Sequence, residues 1–225
     1  KESLPSSDME KVIKGKDLAS CQSIVWKAWC EANEETQEEK LIPMKDLKEG
    51  NHEKWNLPTS LEPNAVMPYY YGVKGESKTK LPFFVYLHGS GPKDQEWSTG
   101  LKLANIFQDS PSVYFIPQIP NEGEYYRWWQ LAKQYSWEKL FRITLSDDKI
   151  DANRLYIFGI SEGGYGSQRL ASFYADYFAA AGPMAGGEPL KNAPAENCAN
   201  IGFSLRTGDK DFGFYRDILS RYVKE

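Results

Sequence analysis

The spacing of hydrophobic residues along this chain changes near residue 66. Before that point Leu18, Cys21, Val25, Ala28 and Trp29 recur at three- and four-residue intervals, the period of one apolar helix face. Ser7-Asp8-Met9-Glu10 ahead of them has capping-box spacing. The stretch 31–40 is charge-rich and apolar-poor, which reads as a solvated helix end or a surface linker. Residues 1–60 are therefore expected to form a helical N-terminal extension, and residues 61–225 a single compact unit.

From residue 66 the apolar positions gather into short aromatic and β-branched runs at 67–73, 82–88 and 113–117, each bounded by Gly, Pro, Asn or Ser. Such runs predict strands. Helical stretches are predicted at 101–107 and 125–145, then a strand at 154–159 and a helix opening at Ser161. Strands at 177–181 and 201–206 and a helix at 212–223 complete the pattern. This alternation predicts an α/β fold, a mostly parallel sheet covered by helices on both faces, with ligands at the carboxyl ends of its strands.

Composition narrows the function. A chain of 225 residues with 41% hydrophobic residues suits one sizeable core. Its 27 basic and 31 acidic residues give a net charge of -4 with no basic stripe, so nucleic acid is not an expected partner. No apolar run approaches the roughly 20 residues that cross a bilayer, and no membrane span is expected. A start at Lys1 fits a mature chain that has lost a targeting segment, which makes a secreted or periplasmic location the expectation. Cys21, Cys30 and Cys198 form no C-x-x-C pair, so buried free thiols are expected, with a bridge from Cys21 or Cys30 to Cys198 as the alternative.

Candidate chemistry centres on Gly159-Ile160-Ser161-Glu162-Gly163. A lone G-x-S-x-G arises by chance in roughly one chain in ten of this length. Here, however, the apolar run Leu155-Tyr156-Ile157-Phe158 precedes it and a helical stretch follows it, the strand, turn and helix of a nucleophile elbow. Small residues two positions either side let strand and helix pass closely, and the helix N-terminus turns free N–H groups toward an anionic intermediate. Ser161 is the candidate nucleophile and the Glu162 N–H a candidate oxyanion donor.

The strand 83–87 runs into His88-Gly89-Ser90-Gly91, a turn whose Ser90 N–H is the candidate second oxyanion donor. His88 is expected to order this loop by hydrogen bonding. After the strand at 201–206, Gly208-Asp209-Lys210-Asp211 offers carboxylates where a triad in the chain order Ser, Asp, His carries its acid. Asp211 is chosen over Asp209; a solvated turn is the alternative. Trp128 and Trp129 are candidate substrate-binding residues of an aromatic wall that would include Tyr125 and Tyr126. Packing of the following helix is an equally weighted role for the two tryptophans.

Residues 150–164, with Asp151-x-x-Arg154, a strand and Gly159-x-Ser161-x-Gly163-Gly164, resemble the corresponding segment of secreted esterases of the α/β-hydrolase superfamily, of the polyhydroxybutyrate-depolymerase-like and feruloyl-esterase-like types. The resemblance extends over roughly residues 68–211. It implies the α/β-hydrolase fold, an ester substrate that is small or polymer-linked, and no metal or organic cofactor. It also implies a catalytic histidine after one further strand beyond the acid. This sequence has only His52 and His88 and ends fourteen residues past Asp211. The expectation is thus a C-terminally incomplete hydrolase domain that turns over little by itself. A serine peptidase of the same fold and a non-catalytic binding module remain open alternatives.

Overall fold

The computed structural model describes residues 12–35, 40–109, 111–119, 127–213 and 216–224. The proposed capping box at Ser7 and the pair Tyr125-Tyr126 lie outside the described residues. The chain divides into two units, residues 1–38 and 39–225.

In the first unit the predicted helix is present as α1 (Leu18–Glu34), entered through a 3-10 turn at Gly15–Asp17. None of its residues is buried. Its internal support is local: Trp26 stacks on Trp29 with ring centroids 5.3 Å apart, and Lys27 pairs with Glu31 one turn on. Such i,i+3 and i,i+4 contacts each contribute only about 0.2–0.5 kcal/mol.

The second unit is built on a seven-stranded sheet of order β1-β2-β4-β3-β5-β6-β7. Its strands are β1 (His52–Asn56), β2 (Val66–Lys74), β3 (Leu81–Leu87), β4 (Ser112–Pro117), β5 (Ile150–Ile160), β6 (Ala180–Met184) and β7 (Gly202–Phe203). β1 and β2 are antiparallel additions, whereas β4, β3, β5, β6 and β7 run parallel. Helices α2 (Lys93–Ile106), α3 (Leu131–Ser146) and α4 (Glu162–Phe173) lie in the connections between strands, and α5 (Arg216–Lys224) follows β7.

Two differences from the sequence reading have simple causes. The sheet starts at His52, inside the stretch expected to be a helical extension. β1 has one apolar residue, the buried Trp55, so its five residues carry no hydrophobic period. The strand expected at 177–181 begins at Ala180, because 175–177 forms a 3-10 turn in which Tyr174 and Tyr177 pack around Phe141.

Side chains alternate across the parallel strands and make two unlike faces. Phe83, Val85, Leu87, Leu155 and Ile157 are buried on the face carrying α3 and α4. Tyr86, Tyr114 and Ile116 pack with Leu101 and Ala104 of α2 on the other, with Phe84 and Phe158 half-buried beside them. Asp151-x-x-Arg154 is a staple at the start of β5. The Arg154 Nε lies 2.7 Å from Asp151 Oδ2, and its Nη2 donates to Lys80 O just before β3. The Asn153 N–H and Arg154 together hold the Asp151 carboxyl below its ordinary value. Among the described residues no helix is long and apolar enough to cross a membrane.

Candidate active site

Ser161 sits where β5 becomes α4, with φ 55° and ψ -117°. A non-glycine residue in this region costs of order 1–3 kcal/mol, a strain the surrounding structure must impose. Both sides impose it here. The Ser161 N–H donates to Met184 O of β6 at 3.0 Å, and Ser161 O accepts from Tyr165 N at 3.0 Å. A Cβ on Gly163 would stand 1.9 Å from Leu87 O, and one on Gly164 would stand 2.1 Å from Met184 O. The first turn of α4 is thus wedged between the ends of β3 and β6, an approach that only glycine allows.

The turn after β3 lies against this elbow. A Cβ on Gly89 would meet the Ser161 Cβ at 3.5 Å, so Ser90 follows directly from a residue touching the serine. The first N–H groups of α4, beginning with Glu162, have no partner within the helix by its geometry.

Neither histidine is placed to act on Ser161. The His88 ring is 2% exposed, its Nδ1 is 2.8 Å from Gly89 O, and its Nε2 accepts from the Ile119 N–H at 3.1 Å. These partners fix the neutral Nδ1–H tautomer and occupy both nitrogens. Burial, aided by the nearby Lys133 charge and opposed by the Gly89 hydrogen bond, pushes its pKa down to about 4. His88 ties the turn after β3 to the loop after β4, the ordering role expected of it. His52 is exposed on edge strand β1, bonded to Glu49 O and set edge-on to Tyr70 and Trp97. Four strand spacings separate β1 from β5, about 19 Å across the sheet.

The acid turn reaches the same end of the sheet. Beyond β7 the chain follows β6 through Arg206 N to Pro183 O at 3.0 Å and Ala185 N to Arg206 O at 2.7 Å. Asp211 accepts from Arg216 Nη1 at 3.2 and 3.4 Å. The same guanidinium donates from Nε to the Tyr165 hydroxyl at 3.1 Å and lies over that ring. Arg216 therefore links Asp211 to the first turn of the elbow helix. Asp209 is exposed.

The two tryptophans separate. Trp128 is fully buried, set edge-to-face with His88 at 5.0 Å, with the Lys133 Nζ 5.2 Å from its ring and Gly166 of α4 packed against it. Its position rules out a cleft wall; it performs the packing role weighed against that one. Trp129 is half-buried with the Arg169 guanidinium 4.5 Å over its ring.

Sequence reading missed the charged layer beside the elbow. Glu188 is 4% exposed; its backbone N–H donates to Gln168 Oε1 and its carbonyl accepts from Gln168 Nε2. The Glu162 carboxyl faces Arg127 at 3.5 Å. Burial raises the pKa of both glutamates. For Glu162, Arg127 opposes that rise and the Glu188 charge adds to it. Gly186-Gly187 before Glu188 was the available signal, but a glycine pair reads equally as a plain turn.

Cys21 and Cys30 are partly buried, Cys198 is buried, and all three are free thiols. Burial raises the Cys198 pKa, which keeps that thiol protonated and inert.

Comparison with known proteins agrees with this architecture. No family model matches the sequence. Feruloyl esterase B of Thermothelomyces thermophilus is 26% identical over 135 residues, covering 55% of this chain and 45% of that protein. The match thus spans under half of that relative's length. Among solved structures, a ferulic acid esterase aligns with a TM-score of 0.55 at 14% identity, over 76% of this chain and 83% of its own. Enterochelin esterase of Shigella flexneri aligns at 0.54 and 14% identity, over 81% and 51%. A thermostable esterase aligns at 0.51 and 20% identity, over 78% and 60%. What these esterases share with the chain is the arrangement of strands and helices, and this chain has the α/β-hydrolase fold.

Proposed function

We propose that the chain is the nucleophile-bearing part of a serine carboxylic-ester hydrolase. The observation that carries this reading is the backbone of Ser161, held at φ 55° between β5 and α4 with the turn after β3 packed on it. The hydroxyl would attack the acyl carbon of an ester while the N–H groups of Ser90 and Glu162 receive the oxyanion, each worth about 3 kcal/mol in the transition state. Collapse of the tetrahedral species expels the alcohol and leaves an acyl group on Ser161, which water then removes. The deprotonating base is neither His88 nor His52, since one has both nitrogens occupied and the other stands on the far edge of the sheet. Asp211, held by Arg216, is the carboxylate available to orient an imidazole.

The decisive experiment is fluorophosphonate labelling together with hydrolysis of a short-chain aryl ester, on this chain and on the protein at its natural length. Ser161→Ala is expected to abolish both in the latter. The 225-residue chain is expected to turn over on the order of 10⁴-fold or more below a complete triad. Fast Ser161-dependent turnover by this chain would mean that one of its two histidines does reach the serine. Absence of labelling at natural length would favour a hydrolase-fold binding module, the reading supported by a serine without a base at hand.

A further inference from the structure

One carboxylate reaches the turn beside the nucleophile without being held by it. Glu96 stands in the first turn of α2, where the positive end of the helix favours an acidic side chain, and it is half-buried. A β-carbon on Gly91 would lie 2.8 Å from Glu96 Oε1 and 2.9 Å from its Cγ, and one on Gly89 would lie 3.2 Å from Oε2. The two carboxyl oxygens thus bracket Ser90, whose N–H is the proposed oxyanion donor.

The same β-carbon on Gly89 would lie 3.5 Å from Ser161 Cβ. Glu96 Oε2 and Ser161 Cβ are therefore separated by no more than the sum of those two distances. That puts the carboxylate in electrostatic range of the hydroxyl and of an oxyanion formed beside it.

Two structural roles are open to a carboxylate in this place, and the contacts support neither. It could tie the turn down by accepting its N–H groups, but among the described residues its oxygens accept no hydrogen bond. It could belong to an ion pair, but among the described residues none includes it. The carboxylates near it differ in this respect: Glu162 faces Arg127 at 3.5 Å, and Asp94 accepts from Gln118 Nε2 at 2.7 Å.

A negative charge without a partner opposes the reaction of a neutral ester here, because the tetrahedral intermediate places a second negative charge a few ångströms away. It favours a substrate that brings its own cation. At such separations and an effective dielectric constant of about 20, the difference amounts to roughly tenfold or more after screening by salt. Ser90 and Gly91 are exposed, so a substrate can approach the turn from solvent.

We propose that Glu96 is a specificity-determining residue that selects esters carrying a protonated or quaternary amine a few bonds from the scissile carbonyl. The cation lies against the Glu96 carboxylate while the carbonyl oxygen takes the Ser90 N–H. This rests on the hydrolase reading of Ser161 and adds the charge class of its substrate.

Two isosteric comparisons on the protein at its natural length test it. The phenyl ester of β-alanine against phenyl butyrate puts the charge on the acyl side. Butyrylcholine against its carbon isostere, in which tert-butyl replaces trimethylammonium, puts it on the alcohol side. In at least one pair kcat/KM is expected to favour the cationic ester by about tenfold, with a preference that shrinks as salt is raised. Glu96→Gln, which keeps the shape of the side chain and removes its charge, should bring that ratio close to unity and turn over the neutral ester faster than the parent does. Asp94→Asn, a loss of charge on the same helix turn, should leave the ratio as it was. Ratios near unity in both pairs, or a preference that survives Glu96→Gln, would overturn the proposal. So would a variant in which both members of a pair fall together, the mark of a purely structural glutamate. Failure of an uncharged fluorophosphonate to label Ser161 would instead remove the hydrolase reading, and the charge selection with it.

Discussion

The two faces of the central sheet are finished to different degrees. On one face α3 and α4 cover the parallel strands, and Phe83, Val85, Leu155 and Ile157 are at most 1% exposed. On the other face α2 packs on β3 and β4. Toward β5 and β6 it leaves a trench of about 350 Å³ lined by Phe84, Tyr156, Phe158 and Met184. The elbow, His88 and Trp128 all lie on the covered side or at its rim. A strained serine persists only where the structure around it is over-determined, and the covered face provides that; the trench side provides packing without enclosure.

The largest effect expected from this contrast is at Gly163. A Cβ there would overlap Leu87 O at 1.9 Å, and its nearest neighbours are all backbone atoms of Leu87 and His88, with no flexible side chain to yield. Gly163→Ala is expected to cost more than about 4 kcal/mol, at the exceptional end for single substitutions, and to leave little folded protein by circular dichroism. A variant as stable as the parent would show that α4 can back away from β3.

Acid should act on the covered side next. His88 is neutral in the folded protein, with its pKa lowered to about 4, whereas an unfolded chain holds it near 6.5. The unfolded state binds the extra proton first as pH falls. The His88 contribution is complete above the unfolded value and is lost between about 6.5 and 4, at about 1.4 kcal/mol per unit and about 3 kcal/mol in all. Urea unfolding from pH 7 to pH 4 of the parent and of His88→Gln measures it. The variant should be less stable at pH 7 and lose less on acidification.

A matched pair of truncations on β5 gives the most direct comparison, and its Tyr156 member the smallest effect. Leu155 is 1% exposed on the covered face, and its replacement by Ala should cost about 2–5 kcal/mol through lost burial and the remaining cavity. Tyr156, the next residue, lines the trench and stacks on Phe84 at 4.9 Å. Tyr156→Ala should cost about 1–2 kcal/mol, because a half-buried ring gives up less area. Equal midpoint shifts in denaturant would mean that both faces are equally enclosed in solution.

The same contrast explains which elements could be read from sequence. β3 and β4 were legible because nearly every residue is buried, which forces a continuous apolar run. β1 was not, since four of its five residues are exposed and only Trp55 points inward. The elbow was legible because its glycines are a steric necessity recorded in residue type. Arg216, Glu188 and Gln168 were not, because the contacts of Arg216 with Tyr165 and of Glu188 with Gln168 and Arg169 are made only by the folded chain. Trp128 and Trp129 show the limit most clearly: adjacent and identical in type, one is sealed beneath Lys133 and the other borders a groove.

Sequence alone determined the α/β architecture, the Gly-x-Ser-x-Gly turn that makes Ser161 the proposed nucleophile, and the scarcity of histidine. Each depends on residue type or on spacing within one element, which local sterics and hydrophobic periodicity record directly. Tertiary structure decided what the two histidines do, since His88 is consumed by Gly89 and Ile119 and His52 is set on the far edge strand. It also decided that Arg216, the partner of Asp211, reaches Tyr165 of the helix that follows Ser161. Those outcomes depend on distances between residues far apart in the chain, and such distances exist only once the sheet has formed and its helices have packed.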